Sequence, residues 1–463
     1  MKRTKIALAL SLILIISAIG PVFADANQTP LTRLDFVKTL LDLNNIQVEE
    51  YITSSFSDVT EDEDVSFVET ATSLGIVSGY DGNFDPEGIV SREQAITMVI
   101  KSFIDLDINT RVTPDAIEEY LVFPDSDKVS DWAKAYLTYA IMENIIDLED
   151  QALNPQEAIT ITDLQELVAR AKPVFTREGM TAPEILEKAS DNLLELKTLK
   201  YNLEMDVISN IVDKTDEENP VEAESAVVMQ MDAIMDQENN IVYIVNNIAM
   251  GIEDEEIETS SEILMDNYNM YMKLPGEDKW IRQDLDPMMK ELEELLGMNM
   301  EQSPGISKQQ MELFGVKATY LPDQIIDDNE YYVLFTTIDS DSIKETVDEI
   351  LDKILDLSID MMGASDEIPS EDEMAAVMKA FISEMIKNMD MEIEYKYFIN
   401  KESKLIEKMD INQVMYMMMG TIENFAVSTG SFDYYDFNEP VTFPEIKDED
   451  IVSLDDTMAE LAL

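Results

Sequence analysis

The sequence GIVSGYDGNFDPEGIVSREQA, residues 75–95, contains the strongest local signals in the chain. A short apolar run leads into a loop rich in Gly and Asp, and Pro86 precedes a helix start at Ser91. Ser91 and Gln94 have the spacing of a capping box, in which the Ser hydroxyl and the Gln side chain each accept a hydrogen bond from the other residue's amide. We therefore predict a tight loop followed by a helix with Arg92 in its first turn.

The same arrangement recurs at residues 32–35 and 160–163, so capping boxes occur about every 60 to 70 residues. The residue after the cap is Arg in the first two boxes. A second motif also recurs, because Phe-x-Asp at residues 56–58 and 123–125 is followed each time by apolar residues at helical spacing. This period predicts a repeated helix–loop–helix unit.

Together these motifs resemble the S-layer homology (SLH) module. Residues 56–108 follow its pattern almost throughout, with Phe-x-Asp-Val, Gly-Tyr-x-Gly and Ser-Arg-x-Gln in order. Residues 120–172 resemble a degenerate copy in which Ile161 replaces the motif Arg, and residues 25–55 show only the second half of a module. The resemblance implies an all-α helical bundle that binds secondary cell-wall polysaccharide, often carrying a pyruvate ketal, on a Gram-positive-type wall.

The helix starts are the predicted binding sites. Their free amides attract an anion, and an Arg beside them supplies a planar fork that suits a carboxylate. The alternative is that the boxes only cap helices and that their Arg side chains are solvated. Because Ile161 cannot pair with a carboxylate, we expect the third site to be degenerate. The residues predicted to bind polysaccharide are Thr32, Arg33, Asp35, Asp58, Gly79, Tyr80, Ser91, Arg92, Gln94, Asp125 and Trp132.

The composition excludes several classes of function. The 463 residues include 97 acidic and 32 basic residues, and the net charge of −65 argues against nucleic acid as a partner. The chain has no Cys and no His, which excludes disulfides, thiol nucleophiles, zincins and Ser-His-Asp hydrolases. The loop at 81–85 lacks the ligand spacing of a Ca²⁺-binding EF-hand. We therefore expect no metal site and no cofactor.

Residues 1–24 have the features of a secretory signal peptide. A basic start is followed by a mostly apolar run, which ends at Gly20-Pro21 shortly before Ala24. No later segment has 18 consecutive apolar residues, the length that a membrane-spanning helix needs. We expect an exported protein with no transmembrane span in its mature form.

After a predicted linker at residues 173–181, the hydrophobic period changes. Residues 182–199 have the spacing of an amphipathic helix, whereas LKYNLEMDV at 199–207 alternates apolar and polar residues as a strand does. Further strand-like runs follow, including one from 257 to 274. Helical segments near 285–298, 341–359 and 371–388 interrupt them.

This pattern predicts an α+β domain at residues 182–450, with one large antiparallel sheet, helices on one side and a tail at 451–463. The segments KYFINKESKLIEKMDI (396–411) and FDYYDFNEPVTFPEI (432–446) are similar to Firmicute surface lipoproteins with a LolA-like half-barrel. Better-known members of that superfamily carry lipid or lipoprotein acyl chains, so the resemblance implies a hydrophobic ligand. The 30 Met residues suit either an adaptable apolar binding surface or an ordinary core.

No acidic pair lies in a motif typical of catalysis, and we predict that the protein is not an enzyme. The sequence favours a secreted protein that SLH modules hold non-covalently on polysaccharide at the cell wall or S-layer surface, while the C-terminal domain displays a binding site. Two alternatives stay open. One is a structural S-layer component that self-assembles, and the other is a wall-anchored carbohydrate-active enzyme that uses carboxylates.

Overall fold

The computed structural model describes residues 29–104, 108, 111–148, 151–215, 220–252, 255–273, 275–276, 279–286, 289–290, 306–338, 340–344 and 382–452. The predicted signal peptide, most of the three helical segments predicted after residue 285, and all but two residues of the predicted tail lie outside the described residues. The chain divides into two compact units, Met1–Thr181 and Ala182–Leu463.

The first unit is helical. Ser91 and Thr160 each form a complete capping box, and the Thr32 hydroxyl accepts from the amide of Asp35 at the start of the first helix. Two 3₁₀ turns, Ser126–Lys128 and Asp131–Ala133, precede the fifth helix. The α-helices are α1 (Arg33–Leu43), α2 (Asp62–Ser73), α3 (Arg92–Lys101), α4 (Pro114–Tyr120), α5 (Lys134–Met142) and α6 (Ile161–Phe175).

Three buried residues, each one position before a helix cap, form the hub of this unit. The amide of Leu31 donates to the carbonyl of Ile159 at 2.9 Å, the amide of Ile159 donates to Val90 at 3.0 Å, and the amide of Val90 donates to Leu31 at 3.1 Å. This closed ring of backbone hydrogen bonds gives the three helix starts an approximate threefold arrangement.

The first two helix starts each lie against the loop of the next repeat. The amide of Arg33 donates to the carbonyl of Gly88 at 2.7 Å, and the amide of Arg92 donates to the carbonyl of Glu157 at 2.8 Å. A groove between a helix start and the following loop therefore belongs to two repeats.

The second unit contains a twelve-stranded sheet in the order β12-β6-β5-β4-β3-β2-β1-β11-β10-β9-β8-β7. Neighbouring strands are antiparallel, except that β12 runs parallel to β6. Helix α7 (Ala182–Leu194) packs against β7 and β10, and α8 (Lys308–Leu313) precedes β7. The strands are β1 (Thr198–Asp213), β2 (Val221–Asp236), β3 (Ile241–Ile252), β4 (Glu255–Asp266), β5 (Asn269–Lys273), β6 (Trp280–Asp284), β7 (Lys317–Ile326), β8 (Asn329–Ile338), β9 (Met389–Asn400), β10 (Ile406–Met419), β11 (Ile422–Tyr435) and β12 (Ile451–Val452).

The predicted fold class, a helical N-terminal part followed by a large antiparallel sheet with helices, is confirmed. One prediction about the strands is wrong, because the run from 257 to 274 is not a single strand. It is divided between β4 and β5 by a turn in which Asn267 has a φ of 53°. Asn tolerates this left-handed conformation better than most residues, so the chain can form a hairpin turn here although the residues on both sides have a strand-like composition.

One face of the sheet is apolar. In β1 the side chains of Leu203 and Met205 point to this face and that of Glu204 points to the other, because strand side chains alternate. The register carries this alternation to the neighbouring strands, where Met231 and Phe432 lie opposite Leu203. We call this side of the sheet the apolar face and the other side, which carries Glu204, the acidic face. At β8 and β9 the acidic face also carries the buried cluster of Tyr331, Val333 and Phe398.

Among the described residues, we find no helix with both the length and the apolar character required to cross a membrane.

Candidate functional site

A cleft of about 1000 Å³ lies between the start of α1 and the loop of the following repeat. We call it the first cleft. Residues from all three repeats line it, because α3 forms one wall and Trp132 reaches it from the last repeat. The lining includes Arg33, Asp58, Gly79, Tyr80, Asp85, Gln94, Thr97, Met98, Lys101 and Trp132.

Arg33 is the central basic group of the first cleft. Its Nη2 donates to the carbonyl of Ser78 at 2.8 Å, and its guanidinium carbon lies 4.9 Å from the centre of the Phe84 ring. Burial lowers the pKa of the guanidinium, and the charge of Asp85 acts in the opposite direction. Its Nε is buried without a hydrogen-bond partner, and no described carboxylate lies within 4.0 Å of it. The side chain is therefore held in place while part of its donor capacity stays unused.

Two exposed aromatic side chains line the same cleft as Arg33. Tyr80 is 89% exposed and Trp132 is 52% exposed. Tyr80 pairs with Asn83 and immediately precedes a two-residue hairpin turn. The turn residues, Asp81 and Gly82, have positive φ values of 51° and 75°. This is the backbone that an Asp-Gly pair favours. The cleft therefore combines a fixed positive charge with apolar ring faces open to solvent.

Gly79 is required by packing at the same hairpin. A Cβ added there would lie 2.6 Å from the carbonyl oxygen of Asn83 and would collide with the Phe56 ring. Any side chain at this position would push the hairpin away from Phe56 and move Tyr80 with it.

The aspartates of the two Phe-x-Asp motifs hold loops together. Asp58 accepts from the amides of Phe84 and Asp85 at 2.8 and 2.7 Å, and Asp125 accepts from the amides of Leu153 and Asn154 at 2.8 and 2.9 Å. Although desolvation acts in the opposite direction, these amide bonds lower the pKa of the Asp58 carboxyl, which favours its ionised form. Both carboxylates already have backbone partners, so their contribution to a binding site is to position the loops that follow.

A second cleft of about 340 Å³ lies at the start of α3, against the loop of the last repeat. Nη2 of Arg92 lies 3.9 Å from Oδ1 of Asp163, and Nε of Arg92 is buried without a partner. Asp147 and Glu166 also line this cleft, as does Arg170. One carboxylate, that of Asp163, therefore lies within 4.0 Å of Arg92, whereas no described carboxylate lies that close to Arg33.

The predicted site residues thus separate into groups. Arg33, Asp58, Gly79, Tyr80, Gln94 and Trp132 lie together in the first cleft, and Arg92 lines the second. Thr32 and Ser91 act as helix caps, Asp35 is exposed in the first turn of α1, and Asp125 holds a loop.

The sequence prediction missed Thr97, Met98 and Lys101. They follow Gln94 at three, four and seven residues along α3, so they share its helix face and extend the wall of the first cleft. Their helical spacing from Gln94 is the sequence signal that could have identified them.

Comparison with known families explains these repeats. Residues 55–96 and 122–160 match the family model of the S-layer homology domain. The chain carries two SLH modules. The recognition of the SLH pattern is confirmed, and it indicates a cell-surface protein associated with the cell wall. The predicted partial module at 25–55 lies almost entirely outside both matches, although its helix α1 is bound into the same hub.

No curated protein matches the chain by sequence. Among solved structures, LprF from Mycobacterium bovis is 14% identical, with 57% of this chain and 95% of that chain covered and a TM-score of 0.25. The LolA superfamily protein NE2245 from Nitrosomonas europaea is 13% identical, with 57% and 96% covered and a TM-score of 0.16. Lipovitellin is 9% identical, with 55% and 27% covered and a TM-score of 0.24. These scores are low, and nothing about the ligands of this chain rests on them.

Proposed function

We propose that the SLH unit anchors this protein to the cell wall by binding secondary cell-wall polysaccharide in the first cleft. The proposal rests on the contacts of the Arg33 guanidinium. Its guanidinium is fixed by Ser78 and Phe84, has an Nε without a partner and has no described carboxylate within 4.0 Å. A carboxylate on the polymer, such as that of a pyruvate ketal, would accept charge-assisted hydrogen bonds from this group.

The surroundings of Arg33 support a sugar ligand. Tyr80 and Trp132 offer exposed ring faces on which the apolar faces of sugar rings can pack. Gln94 supplies an amide, and Lys101 adds a second positive charge to the lining. The cleft is large enough for sugar units of a polymer chain and much larger than a single small ion requires.

We expect the Arg33→Ala variant of the full-length protein to bind purified wall sacculi about tenfold to a hundredfold more weakly than the wild type. A hydrogen bond to a charged group contributes about 1.5–3 kcal/mol, and about 1.4 kcal/mol corresponds to a tenfold change in affinity. Co-sedimentation over a range of sacculus concentrations measures the effect. Arg92→Ala should have a smaller effect, because Asp163 already faces that side chain.

Arg177→Ala is the matched control. It removes a guanidinium from the same unit, where it donates to backbone carbonyls at the end of α6 and lines neither cleft. Its binding should equal that of the wild type, and sacculi stripped of the secondary polymer should bind none of these proteins. Equal sedimentation of Arg33→Ala and Arg177→Ala would contradict the proposal.

We also propose that the protein is exported through residues 1–24, belongs to a Gram-positive-type wall and has no catalytic activity. The two alternatives predict different results with purified protein. A structural S-layer component would form lattices as its concentration rises. A carbohydrate-active enzyme would release sugars from wall polysaccharide, and one Asp or Glu substitution would abolish the release.

For the second unit we propose binding of a hydrophobic ligand on the apolar face. The described strands of this face are dominated by Met, Leu, Ile, Val and aromatic residues. Within it, Asn246 lies opposite Met231, and its Oδ1 is buried without a hydrogen-bond partner. An apolar surface with a few unpaired polar atoms is typical of sites for amphipathic small molecules.

We expect Met231→Asp to weaken binding of a fluorescent fatty acid by tenfold or more, because it places a charge on the apolar face. The control is Gln230→Asp, which adds the same charge at the preceding, exposed position on the acidic face. A fluorescence titration of the full-length variants compares them, and circular dichroism establishes that both are folded. Failure of the wild type to bind saturably, or equal binding by the two variants, would contradict the proposal.

A further inference from the structure

Five methionines occupy adjacent positions at one corner of the apolar face. Met415 pairs with Met391 and Met417 pairs with Met389 across β10 and β9, and Met419 continues the same face of β10. Directly opposed side chains in antiparallel strands have Cβ atoms about 4.5–5.5 Å apart. We call these five residues the methionine corner.

Packing alone does not explain this composition. Towards the other end of β9 and β10, near α7, the same face carries mainly aromatic and branched side chains, such as Tyr395 paired with Ile411 and Tyr397 paired with Leu334, with Met409 the one methionine among them. All five methionines of the corner are only partly buried. Ile422, which pairs with Met419, is 40% exposed. Thioethers are therefore concentrated where the face is accessible to solvent.

The polar side chains that pair with or contact the corner methionines are neutral. The charged position beside them on this face is Asp213 of β1, which pairs with Ile422. Nε2 of Gln413 lies 4.0 Å from Sδ of Met391, which shows that this sulfur is directed along the apolar face. Asn424 pairs with Met417 in the register, and its Oδ1 is buried without a hydrogen-bond partner. None of the described positions of β9, β10 and β11 that share this face at the corner carries a charged side chain.

We propose that the methionine corner binds one soft monovalent cation, Cu(I), through its thioether sulfurs. Thioethers are soft ligands that select Cu(I), whereas carboxylates and amide oxygens favour hard cations. The chain has no Cys and no His, so its 30 Met residues are its only strong soft donors. The flexible Met side chain allows sulfurs from two strands to converge on one ion, and the net charge of −65 attracts cations to the protein.

The test uses Ag⁺, which has the same charge and similar softness and undergoes no redox reaction under these conditions. The full-length protein is dialysed against Ag⁺ in chloride-free buffer with excess Mg²⁺, which occupies the carboxylates. We expect the wild type to retain one tightly held Ag⁺ per chain at the corner. The combined substitutions Met391→Leu, Met415→Leu and Met417→Leu, which preserve apolar volume, should abolish this tight binding.

Met409→Leu is the matched control, because Met409 lies on the same strand and the same face but pairs with Phe432 and Tyr397. It should retain Ag⁺ as the wild type does. In protein with ¹³C-labelled Met methyl groups, one equivalent of Ag⁺ should shift the ε-methyl resonances that the triple variant lacks. If the triple variant does not fold, the single variant Met415→Leu replaces it in the test. We expect that variant to bind Ag⁺ about tenfold or more weakly than the wild type.

Equal Ag⁺ retention by the triple variant and by Met409→Leu would overturn the proposal, as would the absence of tight Ag⁺ binding in the wild type. The fatty-acid titration separates this site from the hydrophobic ligand proposed above, because Met→Leu substitutions keep the face apolar and should leave fatty-acid binding unchanged.

Discussion

Replacing Glu93 by Ala should destabilise the SLH unit by about 3–5 kcal/mol. Glu93 is 2% exposed, and its carboxylate accepts from the amide and hydroxyl of Ser130 at 3.0 and 2.6 Å and from Nε2 of Gln156 at 2.9 Å. A hydrogen bond to a charged group contributes about 1.5–3 kcal/mol, and a buried donor left without a partner costs about 1–3 kcal/mol. Because these bonds join α3 to the last repeat, their loss should loosen both modules together.

Trp132 allows this unit to be followed by itself. It lies in the first unit, whereas Trp280, the only other Trp, lies in β6 of the second. Urea unfolding of the full-length protein in a Trp280→Phe background, monitored by fluorescence, therefore reports the SLH unit. Glu93→Gln, which keeps one acceptor oxygen, should lose less stability. The exposed Glu87→Ala should change the free energy of unfolding by less than about 0.5 kcal/mol. A Glu93→Ala variant as stable as Glu87→Ala would refute the role assigned to this carboxylate.

Gly430→Val should destabilise the second unit by about 3 kcal/mol. A Cβ at this position would lie 2.5 Å from the carbonyl oxygen of Glu204 and 3.1 Å from Cα and Cβ of Met205. Overpacking in a well-packed interior costs about 1–3 kcal/mol, and here the obstacle is backbone, which cannot rotate away as a side chain can. Gly430 lies in β11 where it pairs with β1, the contact that joins β2–β6 to β7–β10. The substitution therefore separates the two halves of the sheet.

Gly251→Val is the matched control for this prediction. Gly251 also lies inside a strand, but the nearest atom to an added Cβ is the carbonyl oxygen of Ala226 at 3.9 Å. Val is favoured in strands and Gly is not, so this variant should be as stable as the wild type or more stable. Unfolding monitored by Trp280 fluorescence in a Trp132→Phe background compares the two. Equal stability of the two variants would show that β11 can move away from β1 without cost.

Local signals in the sequence predicted the helix starts well. Ser91 with Gln94 and Thr160 with Asp163 form the capping boxes that their spacing indicates, because such a box needs only four consecutive residues. The alternation of β1 was predicted for the same reason, since each strand residue contributes its side chain to one face or the other. The turn at Asn267 was missed, because the apolar residues on both sides of it resemble a single longer strand. Strand β6 was also missed; it has only five residues, and three of them are polar.

The candidate site depended on contacts between distant residues. Asp58 and Asp125 were predicted to bind polysaccharide, and the structure shows their carboxylates engaged by backbone amides 26 to 29 residues further along the chain. Glu93 gave no sequence signal, because its partners Ser130 and Gln156 belong to another repeat. The sequence also could not predict that Arg33 and Arg92 have different surroundings, because both occupy the same position of the same motif.

The sequence by itself determined where helices begin, which strand residues share a face, and that repeated modules precede a large sheet. These properties depend on the preferences of neighbouring residues, so they can be predicted from short segments. Only the tertiary structure decided that Arg33 of the first repeat, Tyr80 of the second and Trp132 of the third line one cleft. The ring of hydrogen bonds among Leu31, Val90 and Ile159 brings these repeats together, and a backbone amide and carbonyl carry no residue-specific signal from which such a ring could be predicted.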